Sequence, residues 1–74
     1  MITKLGIVSG EILTILEKVN RPMCIKGLES SLEEPNDVIL MSVGWLAREG
    51  YVHIEVVEGE CFISRMAEHY AHSA

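Results

Sequence analysis

Apolar residues at helical spacing predict a first helix over about Lys4 to Val19, and polar residues occupy its other side. Two glycines, Gly6 and Gly10, lie four residues apart in this helix. They indicate either weak helix propensity or the close approach of another backbone. The apolar residues form one stripe, which is expected to face the core: Leu5, Val8, Ile12, Ile15, Leu16 and Val19.

Proline and leucine positions divide the next part of the chain. Pro22 ends the first helix, because a proline disfavours helical geometry in the residue before it. A short extended piece over residues 22–25 then leads to a short second helix over Lys26–Leu32. Leu28 and Leu32 lie four apart in this helix, so we expect both to point inward.

A third helix begins near Pro35 or Asn36, with Asp37 in the first turn, where negative charge suits the helix dipole. It runs to about Glu49 and ends at Gly50, a residue that readily forms a left-handed cap.

Two β-rich runs, residues 51–58 and 60–64, follow the third helix and predict a hairpin with a turn at Gly59. The order helix, short strand, helix, helix, hairpin is that of a winged helix-turn-helix. The sequence therefore predicts an α+β fold over residues 1–65, with a three-helix core and a small antiparallel β-wing. Residues 66–74 form a C-terminal tail, expected to be loosely ordered or weakly helical.

The segment VILMSVGWLAREGYVHIEVVEGECFIS, residues 38–64, resembles a bacterial and archaeal family of small winged helix-turn-helix domains of unknown function. In that family a GWLAREG-like segment leads into the first wing strand, and the likeness extends over about residues 1–65. The resemblance implies a compact fold, no cofactor and no known reaction, and it also implies homodimers. It transfers no functional residue, because none is established for the family, so it supplies a fold and not an activity.

The third helix would lie in the major groove if this domain bound DNA in the usual way. Ile39, Val43 and Leu46 share the side expected to pack on the first helix, with Leu40 and Ala47 flanking it. Base edges are usually contacted by Arg, Lys, Asn or Gln. The opposite side offers one such residue, Arg48, among these six: Asp37, Val38, Met41, Gly44, Trp45 and Arg48.

Val38, Met41 and Trp45 form a second apolar stripe on the side of the third helix that should face solvent. Together with Arg48 they are the predicted interaction face, since exposed Trp and Met are typical of protein interface hot spots. A second interpretation is that Trp45 packs under the wing or the tail within one chain. A symmetric homodimer would combine the two, because it would bury Trp45 against the second copy.

The charge of the chain disfavours nucleic acid as a partner. Eleven acidic residues against six basic ones give a net charge of −5, whereas DNA affinity comes mainly from basic residues that neutralise phosphates. The expected wing tip, Glu58-Gly59-Glu60, is acidic. The alternative function is a DNA-binding transcriptional regulator of winged-helix type, with Lys26, Arg48 and Arg65 as its candidate nucleic-acid contacts.

Residues suited to metal binding or catalysis are present but not in diagnostic patterns. Cys24 and Cys61 are expected to be free thiols in a reducing compartment. His69 and His72 lie three apart, without the tight ligand pairs of zinc sites. We expect Cys61 beside His53 across the hairpin, yet a nucleophile also needs a cleft, an orienting group and an oxyanion site. The sequence thus predicts no enzyme, metal, cofactor or small-molecule ligand.

The longest uncharged stretch, Val38–Ala47, is too short to span a bilayer, and no charged region followed by an apolar run is present. We therefore expect a cytoplasmic protein without a membrane partner. The combined prediction is a non-catalytic winged-helix module of regulatory or adaptor type. Its expected partner is a second copy, in a homodimer, or another protein.

Overall fold

The computed structural model describes residues 2–66, so the expectations for the tail beyond Met66 lie outside the described residues. The predicted order of elements is confirmed, and each boundary falls within two residues of its expected position. The elements are α1 (Ile2–Val19), β1 (Met23–Cys24), α2 (Ile25–Leu32), α3 (Asn36–Arg48), β2 (Val52–Val57) and β3 (Glu60–Arg65).

The core lies between the three helices and one face of the sheet. The stripe predicted for α1 is confirmed, since Val8, Ile12 and Leu16 are buried and the other three residues of the stripe are partly buried. Helix α3 packs across α1, and the sheet covers the remaining side. Seven further buried apolar residues complete the core: Leu28, Val38, Ile39, Val43, Leu46, Val52 and Ile63.

The three strands form one antiparallel sheet in the order β1-β3-β2. Ile63 pairs with Met23 on one side and with Ile54 on the other, so β3 is the central strand. Val52 and Ile63 are buried on the face that meets the helices. Strand β2 continues beyond Val52 past the edge of the core, and its other five residues are exposed.

The hairpin turn has a conformation that depends on glycine. Glu58 and Gly59 both have positive φ, 51° and 80°, and they separate the paired residues Val57 and Glu60. Two central residues with positive φ define a type I′ turn, whose twist matches that of the flanking strands. The turn therefore fixes the register of the whole hairpin.

Replacing Gly59 by alanine should lower the free energy of unfolding by about 1 kcal/mol, because a Cβ is disfavoured at positive φ. The same change at Gly10 should raise it by up to about 1 kcal/mol, because Gly10 is helical and a Cβ there would meet nothing within 4 Å. Urea denaturation of both variants measures the difference. Equal effects at the two sites would contradict the turn assignment.

The empty space around Gly10 also answers the question raised by the two glycines of α1. A Cβ at Gly6 or Gly10 would meet nothing within 4 Å. The close approach of another backbone is therefore not found within the described chain.

Candidate interaction face

Helix α3 is turned about its axis relative to the sequence-based prediction. Ile39, Val43 and Leu46 are buried as expected, and Arg48 is exposed as expected. Val38 was predicted to belong to the interaction face, and this is wrong, since only 7% of its surface is exposed. Leu40 was predicted to flank the core and is 47% exposed.

The difference between the predicted and the observed orientation of α3 comes from Ser42. It is fully buried (0% exposed), and it lies one turn after Val38 on the same side of the helix. The core therefore faces a direction between Ile39 and Val38. A helical wheel that counts only large apolar residues gives no weight to a buried serine. It therefore places the centre of the buried side too close to Leu40.

Three large apolar side chains of α3 remain on its exposed side: Leu40, Met41 and Trp45, which are 47%, 43% and 52% exposed. We call these three residues the α3 apolar face. Trp45 is supported from one side by Tyr51, with ring centroids 6.4 Å apart and an interplanar angle of 24°. Tyr51 in turn packs against the core. The indole is thus held in place, although half of it faces solvent.

The two interpretations of Trp45 can be compared in part. The described wing does not bury the indole, since half of its surface stays exposed. The version in which the tail covers Trp45 involves residues outside the described range.

The wing adds apolar surface next to α3. A groove of about 390 Å³ runs between the N-terminal halves of α2 and α3 and the wing, with Leu40 and Cys61 among its lining residues. Ile54 and Val56 of β2 lie on the same face of the sheet as Cys61 and the buried Ile63. They are 38% and 63% exposed, because the hairpin extends past the core. The alternation of apolar and polar residues along β2 predicted that Ile54 and Val56 share a face with Val52. It could not show that the core ends before these two residues.

Charges around this surface are mostly negative. The wing-tip residues Glu58 and Glu60 are exposed. Glu29 and Glu60 also line the groove between the wing and the helices. Glu29 accepts a hydrogen bond from the Asn36 side chain. Near the N-terminus of α1, Lys4 forms a salt bridge with Glu34 at 3.1 Å. The groove is therefore lined by two carboxylates, those of Glu29 and Glu60, and by one cation, Lys26.

The three candidate nucleic-acid contacts lie on three different elements. Lys26 is in α2, Arg48 in the last turn of α3 and Arg65 at the end of β3, and all three are exposed. Within α3, which is described throughout, Arg48 is the basic residue and Asp37 the acidic one. The exposed side of α3 is thus more apolar than basic.

The predicted neighbourhood of Cys61 and His53 is wrong. The register pairs Cys61 with Val56 and His53 with Ser64, so the thiol and the imidazole lie on opposite faces of the hairpin. Both Cys24 and Cys61 are free and partly buried.

Among residues 2–66, no group of three His, Cys, Asp or Glu side chains is placed to hold a metal ion. The candidate pair His69 and His72 lies outside the described residues. No described helix combines the length and the apolar character needed to cross a membrane.

Three helices and a three-stranded antiparallel sheet, whose β2–β3 hairpin extends past the core, define a winged helix-turn-helix domain. A family model described as "Winged helix-turn-helix domain (DUF2582)" matches residues 2–65, and the chain belongs to this family. The resemblance based on the segment from α3 to the wing is thereby confirmed. Searches of curated proteins and of solved structures gave no match.

Proposed function

We propose that this winged-helix domain is a non-catalytic module of regulatory or adaptor type that acts in the cytoplasm through protein contacts. The α3 apolar face, with Ile54 and Val56 of the wing, makes these contacts, and a second copy of the chain is the expected partner. The observation that carries the proposal is the 52% exposure of Trp45. This residue lies on the helix that winged-helix proteins usually insert into DNA.

The composition of this surface favours a protein partner. Contiguous exposed apolar surface is uncommon on proteins that act alone. Trp and Met are enriched in the centres of protein interfaces, and large binding contributions are concentrated in a few such residues. The indole of Trp45 is already held against Tyr51, so less conformational entropy is lost when a partner covers it.

Charge supports the same choice over DNA. The net charge is −5, and the wing tip carries Glu58 and Glu60, where a DNA-binding wing needs cations to neutralise phosphates. Arg48 would approach DNA next to Trp45, which has one indole N–H and no acceptor for base edges.

The non-catalytic part of the proposal is supported by the cysteine and histidine positions. The closest approach to a nucleophile and base in the sequence was Cys61 with His53, and these residues lie on opposite faces of the sheet. The groove beside the wing is lined by Cys24 and Cys61, while His53 is not among its lining residues. Among the described residues, a thiol nucleophile in this groove would have no histidine beside it to act as its general base.

The proposal is tested by sedimentation of the wild type and of Trp45→Ala at concentrations up to several hundred micromolar. We expect a wild-type dimer and a dissociation constant raised roughly thirtyfold in the variant, the effect of removing an interface hot spot. Ile7→Ala is the matched control, since Ile7 is an apolar residue of α1 with 57% exposure, outside the α3 apolar face. The control should associate like the wild type.

The DNA alternative is tested in parallel by titrating duplex DNA of mixed sequence at low salt. We expect no binding below about 100 µM, weaker than typical non-specific DNA binding. Tight binding that weakens steeply with salt, and that is lost in Arg48→Ala, would overturn the protein-contact proposal in favour of a transcriptional regulator.

A further inference from the structure

Strand β2 has a free edge whose backbone groups are placed to pair with a further strand. In the sheet order β1-β3-β2 one side of β2 bonds to β3, and no described strand covers the other side. The backbone N–H of Met66 donates to the carbonyl of Tyr51 at 3.0 Å, so the odd-numbered residues of β2 face β3. Because backbone groups alternate along an antiparallel strand, those of Val52, Ile54 and Val56 point to the free edge.

This edge lacks most of the features that usually prevent strand addition. Proteins protect exposed edges with short strands, bulges, prolines and charged side chains, lysine above all, and of these β2 carries one charged residue, Glu55. Strand β2 has six residues of sequence VHIEVV, without proline or lysine, and its register with β3 is unbroken from Val52 to Val57. An edge of this length and composition favours pairing with another strand.

We propose that β2 of one chain pairs antiparallel with β2 of a second copy, with the two-fold axis at Ile54. This register places His53 opposite Glu55 of the second copy, and Glu55 opposite its His53. It also places Val52 opposite Val56 and Ile54 opposite itself. Each His–Glu pair brings an imidazole N–H within reach of a carboxylate across the strands, the type of pair that stabilises a sheet.

Charge selects this register over its neighbours. An axis at Glu55 would place the two Glu55 carboxylates directly opposite each other, which is destabilising. An axis at His53 would place the two His53 side chains opposite each other and leave Glu55 opposite Tyr51. The Ile54 axis gives two complementary polar pairs and three apolar pairs.

The pairing joins the two wings into a six-stranded sheet with the helices of both chains on one side, because the two-fold axis is perpendicular to the sheet. Ile54 and Val56 of both copies then form one continuous apolar strip beside Val52. Paired strands alone bury less than the roughly 1,200 Å² typical of a stable interface. The inference therefore rests on the proposed function, in that the α3 apolar face supplies the remaining contact.

Ile54→Pro tests the pairing, because it removes an N–H that points to the free edge and leaves the β2–β3 hydrogen bonds intact. We expect its dimer dissociation constant to rise by about ten- to a hundredfold in equilibrium sedimentation, through the loss of two central hydrogen bonds. Ile54→Thr is the matched control. It also loses apolar surface but keeps the N–H, and it should remain closer to the wild type than the proline variant. Circular dichroism establishes that both variants are folded.

Charge reversal tests the register. His53→Glu places like charges opposite each other twice in the dimer and should raise the dissociation constant about tenfold. Adding Glu55→Lys to this variant creates complementary pairs again and should restore association to within about threefold of the wild type. Thr14→Glu, an equal charge change at an exposed position of α1, controls for net charge.

The outcomes separate this inference from the proposed function. Two results together support β2 pairing. Ile54→Pro weakens dimerisation, and adding Glu55→Lys restores the dimerisation that His53→Glu weakens. A dimer that withstands Ile54→Pro but dissociates in Trp45→Ala overturns β2 pairing and leaves the proposed function in place. A wild type that stays monomeric at several hundred micromolar overturns the β2 pairing and also the homodimer in the proposed function. The DNA titration then decides between another protein partner and DNA.

Discussion

Replacing Leu46 by alanine is expected to lower the free energy of unfolding by about 2–5 kcal/mol. Leu46 is fully buried (0% exposed) in the core formed by the helices and the sheet. Alanine would remove most of the buried side chain and leave a cavity that the surrounding packing fills only in part. In a domain of 74 residues, whose total stability is of the order of 5 kcal/mol, this loss would unfold a large fraction of the molecules.

Leu40→Ala is the matched control, because it makes the same change in the same helix at a position that is 47% exposed. It should cost about 1 kcal/mol or less. Urea denaturation followed by circular dichroism measures both variants at a protein concentration low enough to keep the chain monomeric, since association changes the apparent stability. A larger loss for Leu40→Ala than for Leu46→Ala would mean that α3 faces the core with a different side.

The orientation of α3 shows how far hydrophobic periodicity can predict a helix face. It placed Ile39, Val43 and Leu46 correctly, because large apolar residues at helical spacing have to be buried together. It misplaced Val38 and Leu40, which lie at the two borders of the stripe. There the choice between core and solvent depends on Ser42, and residue type alone does not show that this serine is buried.

The hairpin shows a similar division. The turn at Gly59 and the alternation along β2 predicted both strands and the residues that share each face. The pairing of residues across the hairpin follows from the turn: once Val57 pairs with Glu60, His53 must pair with Ser64. Counting from the turn would therefore have excluded the contact between Cys61 and His53. The length of β2 beyond the core depends on tertiary packing and was not predictable from its sequence.

These two differences enlarge the candidate surface. Rotation of α3 exchanges Val38 for Leu40 at its border, and extension of the wing adds Ile54 and Val56. Both changes increase the apolar part of a face that already lacked basic residues apart from Arg48. The distinction between a DNA reader and a protein-binding module thus depends on the side chains that a winged-helix scaffold exposes, because the scaffold itself is compatible with either.

Replacing Ser42 by alanine is expected to raise the free energy of unfolding by about 1.5–3.5 kcal/mol. The Ser42 hydroxyl is fully buried, and no hydrogen-bond partner for it is found among the described residues. Burying an unsatisfied polar group costs about 1–3 kcal/mol, and alanine also has the higher helix propensity, by about 0.5 kcal/mol. Alanine occupies nearly the same volume, so the change leaves almost no cavity.

Ser31→Ala separates the two contributions to the Ser42 effect, because Ser31 is an exposed serine in α2. This control should gain only the propensity term, about 0.5 kcal/mol, and the excess at Ser42 measures the desolvation of its hydroxyl. Urea denaturation of the two variants provides the comparison. A loss of stability in Ser42→Ala would show that the hydroxyl is hydrogen-bonded in solution. In that case the hydrogen bond of Ser42 would stabilise the contact of α3 with the core. The alternative is that serine is accommodated at this position only because its side chain is small.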